Sequence, residues 1–459
     1  MTDNFKEVNE SYTLPEAIRE AQRCLHCKVP GCKKGCPISN DIPDWIAELA
    51  KGNFGNAMAI IHNRSNLPAV CGRVCAHERQ CEGNCVLAKK GQHINIGKLE
   101  RFVADFDSQA GITHEAIPEK NRGRVAVIGS GPAGLTIAGD LARRGFAVEI
   151  FEMENEPGGV LMFGIPEYRL PKEVVRREIA KIVNLGVNIH LNTTIGESHT
   201  VDDLFAQGFD AIFMGTGTGV PKRLNIPGIN HPGVRQAIRF LRRVSLYENG
   251  YIPLQDVIVG KGDRVFVVGC GNTAIDAART ALRIGAKEVT VVYHRTVNEM
   301  SALRAEYDDA VAEGVKFLWN SSITSVQGQE GATKLTGIDI DTEGTTTHYP
   351  ADHVIMAVGS APAARIVSTT GGIDVDEKGY VLTTDTPYGM TTRPGVFAGG
   401  DVTNRPATVV HAMHDAKLVA EGIMQYVDAI RLLRHINATT PTPDEPAMTL
   451  APRVPSAQC

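Results

Sequence analysis

Residues 124–135 read Arg-Val-Ala-Val-Ile-Gly-Ser-Gly-Pro-Ala-Gly-Leu, and the fold is decided there. The short apolar, β-branched run predicts a strand over 124–128. A Gly-x-Gly-x-x-Gly turn follows at Gly129, Gly131 and Gly134, with Pro132 and Ala133 opening a helical segment to Arg144. A second strand is predicted from Ala147 to Glu152. In that context Gly129 makes the tight turn, Gly131 lets backbone approach a pyrophosphate, and Gly134 allows helix and strand to pack closely. The pyrophosphate then sits on the amide-rich helix N-terminus.

Working outward, the same order recurs. A strand over 264–268 runs into Gly269-Cys270-Gly271-Asn272-Thr273-Ala274, then a helix to Ile284 and a strand from Glu288 to Tyr293. Segments 210–217 and 352–359 also match each other, each a strand running into glycine, so the chain carries a diverged internal duplication. The expected class is α/β, with two Rossmann-like dinucleotide-binding folds of the three-layer ββα type.

The residue closing each second strand separates the ligands. Glu152 is placed to accept from the ribose hydroxyls of an unphosphorylated adenosine, as in FAD or NAD. The later unit ends Tyr293-His294-Arg295, and a cation there suits the 2′-phosphate of NADP(H); the alternative is a solvated loop arginine. The first site reads as FAD and the second as NADP(H). A third element supports FAD: 396–402 (VFAGGDV) reads as a strand ending near Gly400 and Asp401, before a helix from about Thr408 and Val409. Such an aspartate can bond a ribityl chain while the helix dipole faces the flavin; an ordinary N-capped junction is the alternative.

At 459 residues and ~150 per domain, about three domains are expected. They divide as 1–121, 122–221 with 359–436, 222–358, and a Pro-rich tail over 437–459 expected to be disordered. A net charge of −5 argues against a binder dominated by nucleic-acid phosphates. No apolar run approaches the ~20 residues of a membrane span. The polar, acidic start MTDNFKEVNESY resembles no secretory or transit leader, so a cytoplasmic protein is expected.

Of ten cysteines, eight fall between Cys24 and Cys85. In a reducing compartment such a cluster points to metal rather than disulfides. The groups are Cys24-x2-Cys27-x4-Cys32-x3-Cys36-Pro and Cys71-x3-Cys75-x5-Cys81-x3-Cys85. Only one C-x2-C knuckle occurs, whereas zinc ribbons use paired ones; the run ending in Cys-Pro is closer to bacterial ferredoxins. Two [4Fe–4S] clusters are the favoured reading and two zinc ions the alternative. His26 and His77 lie inside the runs and read as solvated loop histidines. Cys270 lacks a C-x2-C partner and reads as packing.

Together CLHCKVPGCKKGCP, LPAVCGRVCAHERQCEGNC, INIGKLERF, GSGPAGL, GGVLMFGIPEYRLPK, GCGNTAIDAARTALRIGA and GVFAGGDV resemble the glutamate synthase small-subunit family of FAD- and NADPH-dependent iron–sulfur oxidoreductases. The family is related to the N-terminal half of dihydropyrimidine dehydrogenase and to archaeal sulfide dehydrogenase. LPAVCGRVC tilts the resemblance towards the large subunit of NADH-dependent reduced ferredoxin:NADP oxidoreductase. The resemblance implies one [4Fe–4S] cluster on Cys24, Cys27, Cys32 and Cys85, and a second on Cys36, Cys75, Cys81 and Glu100, with Cys71 a spare structural thiol. Gly159 and Leu161, in the GGVLMFGIPEYRLPK motif, fall among its flavin-binding residues. Where the family usually has two arginines, His294 precedes Arg295, which leaves NAD(H) open as coenzyme. The implied activity is hydride exchange between NADP(H) and FAD, with single electrons passing through both clusters to or from a partner. That partner is the glutamate synthase large subunit, a flavin or iron–sulfur small subunit, or ferredoxin. The alternative is the NAD(P)H-oxidising subunit of a dihydropyrimidine dehydrogenase or sulfide dehydrogenase complex.

Overall fold

The computed structural model describes residues 3–403 and 408–439. Its N-terminal part is helical: Leu14–Gln22, Ile42–Ala50, Phe54–His62, Pro68–Val74 and Ile96–Ala110. The first helix starts at Thr13, whose N–H donates to the Glu16 carboxylate three residues on (2.8 Å), so one otherwise orphaned terminal donor is satisfied. The last turns Ile96, Leu99, Phe102 and Val103 inward, at the spacing of a single apolar stripe. Gly111, at φ +59, stops it in the left-handed conformation that ends many helices. These helices close around Trp45, Leu49, Met58 and Ile61, all fully buried.

Beyond residue 123 come two sheets. The first runs Thr383–Asp385, Tyr388–Thr391, Val396–Ala398, Ala211–Met214, Arg124–Ile128, Ala147–Phe151, Asn188–His190. Its five strands from Val396–Ala398 onward are parallel, and the first two form an antiparallel extension. Central strands covered on both faces read as continuous apolar runs, and every residue of Val125–Ile128 is buried. On one face lie the helices Pro132–Arg143 and Val409–Thr439, joined through Leu135, Ile137 and Leu141 to Met413, Ala416 and Val419. The last helix continues through 437–439, and the rest of the tail expected to be disordered lies outside the described residues.

The second sheet runs Val234–Gln236, His353–Met356, Arg264–Val268, Glu288–Val292, Lys316–Leu318, all parallel. Helix Asn272–Ile284 covers one face through Ile275 and Ala278. An antiparallel meander of Ser321–Gln327, Gly337–Thr342 and Thr345–Tyr349 covers the other, Ile338 and Ile340 packing on Phe266 and Val354. Helix, sheet and sheet make three layers. The chain enters this fold through Val220–Pro221 and leaves through Ser360–Ala361, and those two strands pair with each other.

Buried ions join the folds. Arg169 is 6% exposed and donates through Nη1 to both Asp276 oxygens at 2.9 Å. Its Nε lies 2.9 Å from Glu306 but is not aligned as a hydrogen bond, so Asp276 is the principal partner. Tyr168, fully buried, lies under the guanidinium of Arg283 at 3.8 Å.

Candidate cofactor sites

At the first glycine turn, Gly129 has φ +96, a conformation that suits glycine. A Cβ on Gly134 would stand 1.9 Å from the Gly129 carbonyl, whereas one on Gly131 would meet nothing within 4 Å. The turn is therefore tight behind and open in front, with Pro132 and Ala133 beginning the helix. Gly159 approaches Gly131, since a Cβ there would lie 2.9 Å from its Cα, and Leu161 is fully buried. Lys172 ties down this second segment: its buried ammonium donates to the carbonyls of Leu161 (2.9 Å), Ile165 (2.5 Å) and Leu170 (3.2 Å). Burial pushes its pKa down to about 8.

Glu152 is buried and already engaged. One oxygen accepts from the N–H (2.9 Å) and hydroxyl (2.5 Å) of Ser130, inside the glycine turn. The other accepts from the Glu154 N–H at 2.9 Å. Ser130 Oγ accepts in turn from the Gly158 N–H at 2.9 Å. Besides any ligand it meets, Glu152 thus holds the turn in shape, a role its place at a strand end does not reveal.

The strand Val396–Ala398 brings Gly400 and Asp401 to the same end of the sheet, in a tight turn whose Gly400 would place a Cβ 3.0 Å from that of Ala133. The Gly400 N–H donates to Asp415 at 2.6 Å, a residue the sequence pattern does not single out. Thr408 and Val409 start the last helix, Thr408 Oγ1 lying 2.7 Å from His411 Nδ1; residues 404–407 between lie outside the described residues.

In the second fold, Gly269 has φ +114 and a Cβ there would meet the Ala357 carbonyl at 2.5 Å. Gly271 caps the helix that Asn272, Thr273 and Ala274 begin. Asn272 Oδ1 accepts from the Leu303 N–H at 2.9 Å, so this amide also positions the 301–303 loop. That loop is braced from the N-terminal part: Arg79 donates to the carbonyls of Ser301 (3.1 Å) and Ala302 (2.7 Å). His294 and Arg295 stand exposed beyond the strand Glu288–Val292. Cys270 is 2% exposed and burial pushes its thiol up to about 11.

The cysteines separate into two sets. Cys24, Cys27, Cys32 and Cys85 line one apolar cavity with Ile42, Ile46 and Ile96. Cys36, Cys75, Cys81 and Glu100 influence one another electrostatically, and Cys71 acts on Cys75 in the same way. Cys71 itself accepts from Ser65 and donates to Met413 of the last helix (3.6 Å). Among the described residues no three His, Cys, Asp or Glu side chains are placed to hold one metal ion; Cys24, Cys27, Cys32 and Cys85 stand around a cavity instead. The donor chemistry fits an iron–sulfur group. Glu100 is 8% exposed and its Oε1 has no hydrogen-bond partner. Burial, helped by the charge of Glu178, pushes its pKa up to about 8. Burial likewise raises Cys32 and Cys36 to about 11. Ligands must shed these protons, which a positively charged metal group would favour.

His26 is exposed, as its loop position suggests. His77 is not the solvated histidine its sequence context predicts. Its ring fills the space left by Gly97, where a Cβ would lie 2.3 Å away, and burial pushes its pKa down.

Residues 1–112 match the family model described as dihydropyrimidine dehydrogenase domain II, 4Fe-4S cluster. Residues 123–416 match pyridine nucleotide-disulphide oxidoreductase. The glutamate synthase [NADPH] small chain of Halomonas elongata is 36% identical over 445 residues, covering 92% of this chain and 93% of that one. The chain belongs to the glutamate synthase small-chain family. Also similar is the NAD-dependent dihydropyrimidine dehydrogenase subunit PreT of Escherichia coli K12, 33% identical over 92% of this chain and 97% of that one. Thioredoxin reductase of Lactococcus lactis superposes with a TM-score of 0.51 at 25% identity, over 66% of this chain and 99% of that one. Unlike a dithiol reductase, this member of the small-chain family has no C-x2-C after Cys85. The 4Fe-4S match decides between iron–sulfur and zinc for the cysteine-rich part, which precedes a flavin- and nicotinamide-nucleotide oxidoreductase fold. No helix among the described residues is long and apolar enough to cross a membrane.

Proposed function

We propose that this chain is the NADPH-linked electron-transfer flavoprotein subunit of a cytoplasmic redox complex. When bound, the cofactors supply the chemistry: hydride exchange between nicotinamide and flavin, and single-electron transfer through two [4Fe–4S] clusters. The protein's part is to hold and order them. Residues 122–221 and 359–436 form the FAD domain, with Gly129–Gly134, Glu152, Gly159, Leu161, Gly400, Asp401, Thr408 and Val409 around the flavin nucleotide. Residues 222–358 form the NADP(H) domain, with Gly269–Ala274 under the pyrophosphate and His294 and Arg295 at the 2′-phosphate. Residues 1–121 hold one cluster on Cys24, Cys27, Cys32 and Cys85, and the other on Cys36, Cys75, Cys81 and Glu100.

The observation that carries this reading is Glu100: a buried carboxylate with an unpartnered oxygen, beside three buried or part-buried thiols. Its electrostatic neighbour Glu178, and the contact of Cys71 with Met413, set this group against the flavin fold. The other thiols face outward. Leu25, Val29 and Val86 around them are 59%, 66% and 51% exposed, with Lys28, Lys34, Lys89 and Lys90 exposed nearby. An apolar centre inside a basic rim suits an acidic redox partner. The subunit and small-chain names of relatives favour a partner redox subunit, which we take to be a glutamate synthase large subunit or a ferredoxin:NADP oxidoreductase partner.

Anaerobic titration of the purified chain tests it. NADPH is expected to bleach the flavin bands and a broad iron–sulfur shoulder together. Reduction by NADH alone would reassign the coenzyme through His294, and a preparation without the shoulder would remove the clusters from the scheme. Cys85→Ala is expected to lose one cluster's iron while nucleotide still reduces the flavin.

A further inference from the structure

At the outer edge of the second fold, a cavity of about 320 Å³ lies between the 223–232 loop and the helix Ala237–Glu248. Arg223, Arg235, Arg239 and Arg243 converge on it, and no Asp or Glu lines it. Their polar contacts are with neutral groups. Arg243 Nε donates to the Asp256 carbonyl (2.8 Å) and Arg223 Nη1 to Asn230 Oδ1 (3.4 Å). The buried Nε of Arg235 has no partner. Among the described residues none of the four has an ion pair, although neighbouring Arg242 pairs with Glu154. The lining His231 is engaged with backbone groups: its Nδ1 accepts from the Gly233 N–H (3.0 Å) and its Nε2 lies 3.0 Å from the Gln329 carbonyl.

Such a row carries two electrostatic costs. Arg239 and Arg243 stand four residues apart on the helix, where like charges destabilise it, and Arg235 precedes it on the edge strand Val234–Gln236. Arg239 also lies in the first turn of the helix, where the macrodipole disfavours cations. Burial pushes the Arg235 pKa down, and the charge of Arg243 adds to it. A multivalent anion in the cavity removes both costs.

We propose that this cavity binds a small molecule carrying a di- or triphosphate. Guanidinium forks match pairs of phosphate oxygens, and four of them call for more charge than one phosphate carries. The volume lies at the small end of ligand sites, enough for a polyphosphate and part of its carrier but not for a folded partner. Ile229 and Phe240 supply an apolar wall. The site is separate from the nucleotide turn: two strand spacings, about 10 Å, divide the edge strand Val234–Gln236 from Arg264–Val268, at whose end the turn lies. It has a path to the flavin segment, because the same helix donates Ser245 Oγ to the Met162 carbonyl at 2.7 Å.

Calorimetric titration of the FAD-loaded chain with inorganic tripolyphosphate, at ~0.15 M salt to screen weak surface attraction and with saturating NADP+, tests the proposal. One saturable site per chain is expected. Affinity should fall about tenfold in Arg239→Gln and in Arg235→Met, each of which loses a charge-assisted contact. Arg239 is exposed, so its variant should fold, and an unchanged flavin spectrum checks this. Absence of saturable binding, abolition of binding by NADP+, or equal affinity in folded Arg239→Gln would overturn the proposal.

Discussion

Replacing Arg169 by Met tests whether the two nucleotide folds are held by their buried ions. Met keeps most of the apolar stem, so lost packing is a small part of the effect. What disappears is the only guanidinium, among the described residues, bonded to Asp276, which is 4% exposed. Glu306 retains Arg279 at 2.6 Å and is not stranded. Leaving one buried carboxylate unpaired costs about 3–5 kcal/mol. With a urea m-value near ~3 kcal/mol per M, the midpoint falls by about 1–2 M. The assay is urea unfolding of the FAD-loaded chain, followed by flavin release and circular dichroism. The double variant Arg169→Met with Asp276→Leu removes both charges, and most of the loss should return. A single-variant cost under about 1 kcal/mol, or no recovery in the double variant, would refute the reasoning.

Three further expectations follow from the geometry. Glu100→Ala should lower iron from about eight to about four per chain, and unchanged iron and sulfide would reject Glu100 as a ligand. Arg79→Ala releases the 301–302 loop from its brace; a half-exposed arginine contributes ~1 kcal/mol here, so NADP+ should bind about fivefold more weakly in a fluorescence titration, and an unaltered Kd would count against it. His62, with a side chain 14% exposed, has its pKa pushed down to about 4 by burial, with Lys181 adding to the effect. Its ordinary value is about 6.5, so between those pH values the unfolded chain binds the proton and the folded chain does not. Stability therefore falls as pH drops from 6.5 towards 4, by up to about 3 kcal/mol. His62→Gln should flatten the slope between pH 6.5 and 5, and an equal slope in both proteins would exclude His62 as its source.

What could be read in advance follows from the range of the interactions. Strands over Arg124–Ile128 and Arg264–Val268 announce themselves because a buried parallel strand is an apolar run, and the glycines after them answer a local steric demand. The extension Thr383–Asp385 is fully exposed and its polar residues carry no such pattern. The site divides similarly. The glycine turns and cysteine spacings lie within short windows, whereas Arg169 meets Asp276 across 107 residues and Arg79 meets Ser301 across 222. The burial of His77 does not show in its local sequence because the space its ring fills belongs to Gly97, on another helix. Ser130 lay inside a recognised motif, yet its bond to Glu152 requires the second strand to be paired in register beside the first.

The insertion of one fold within the other also sets an order of assembly on the ribosome. Residues 222–358 emerge as a continuous stretch and contain every strand of their sheet. The first sheet has to wait, because Val396–Ala398 lies beside Ala211–Met214 and is made nearly two hundred residues later. Until it arrives, Ala211–Met214 presents a bare, wholly apolar edge, the kind of surface that invites wrong pairing. A nascent chain stalled before residue 396 would thus carry a finished second fold beside an unfinished first one, and any ligand that needs the whole first sheet can be captured only at the end of synthesis.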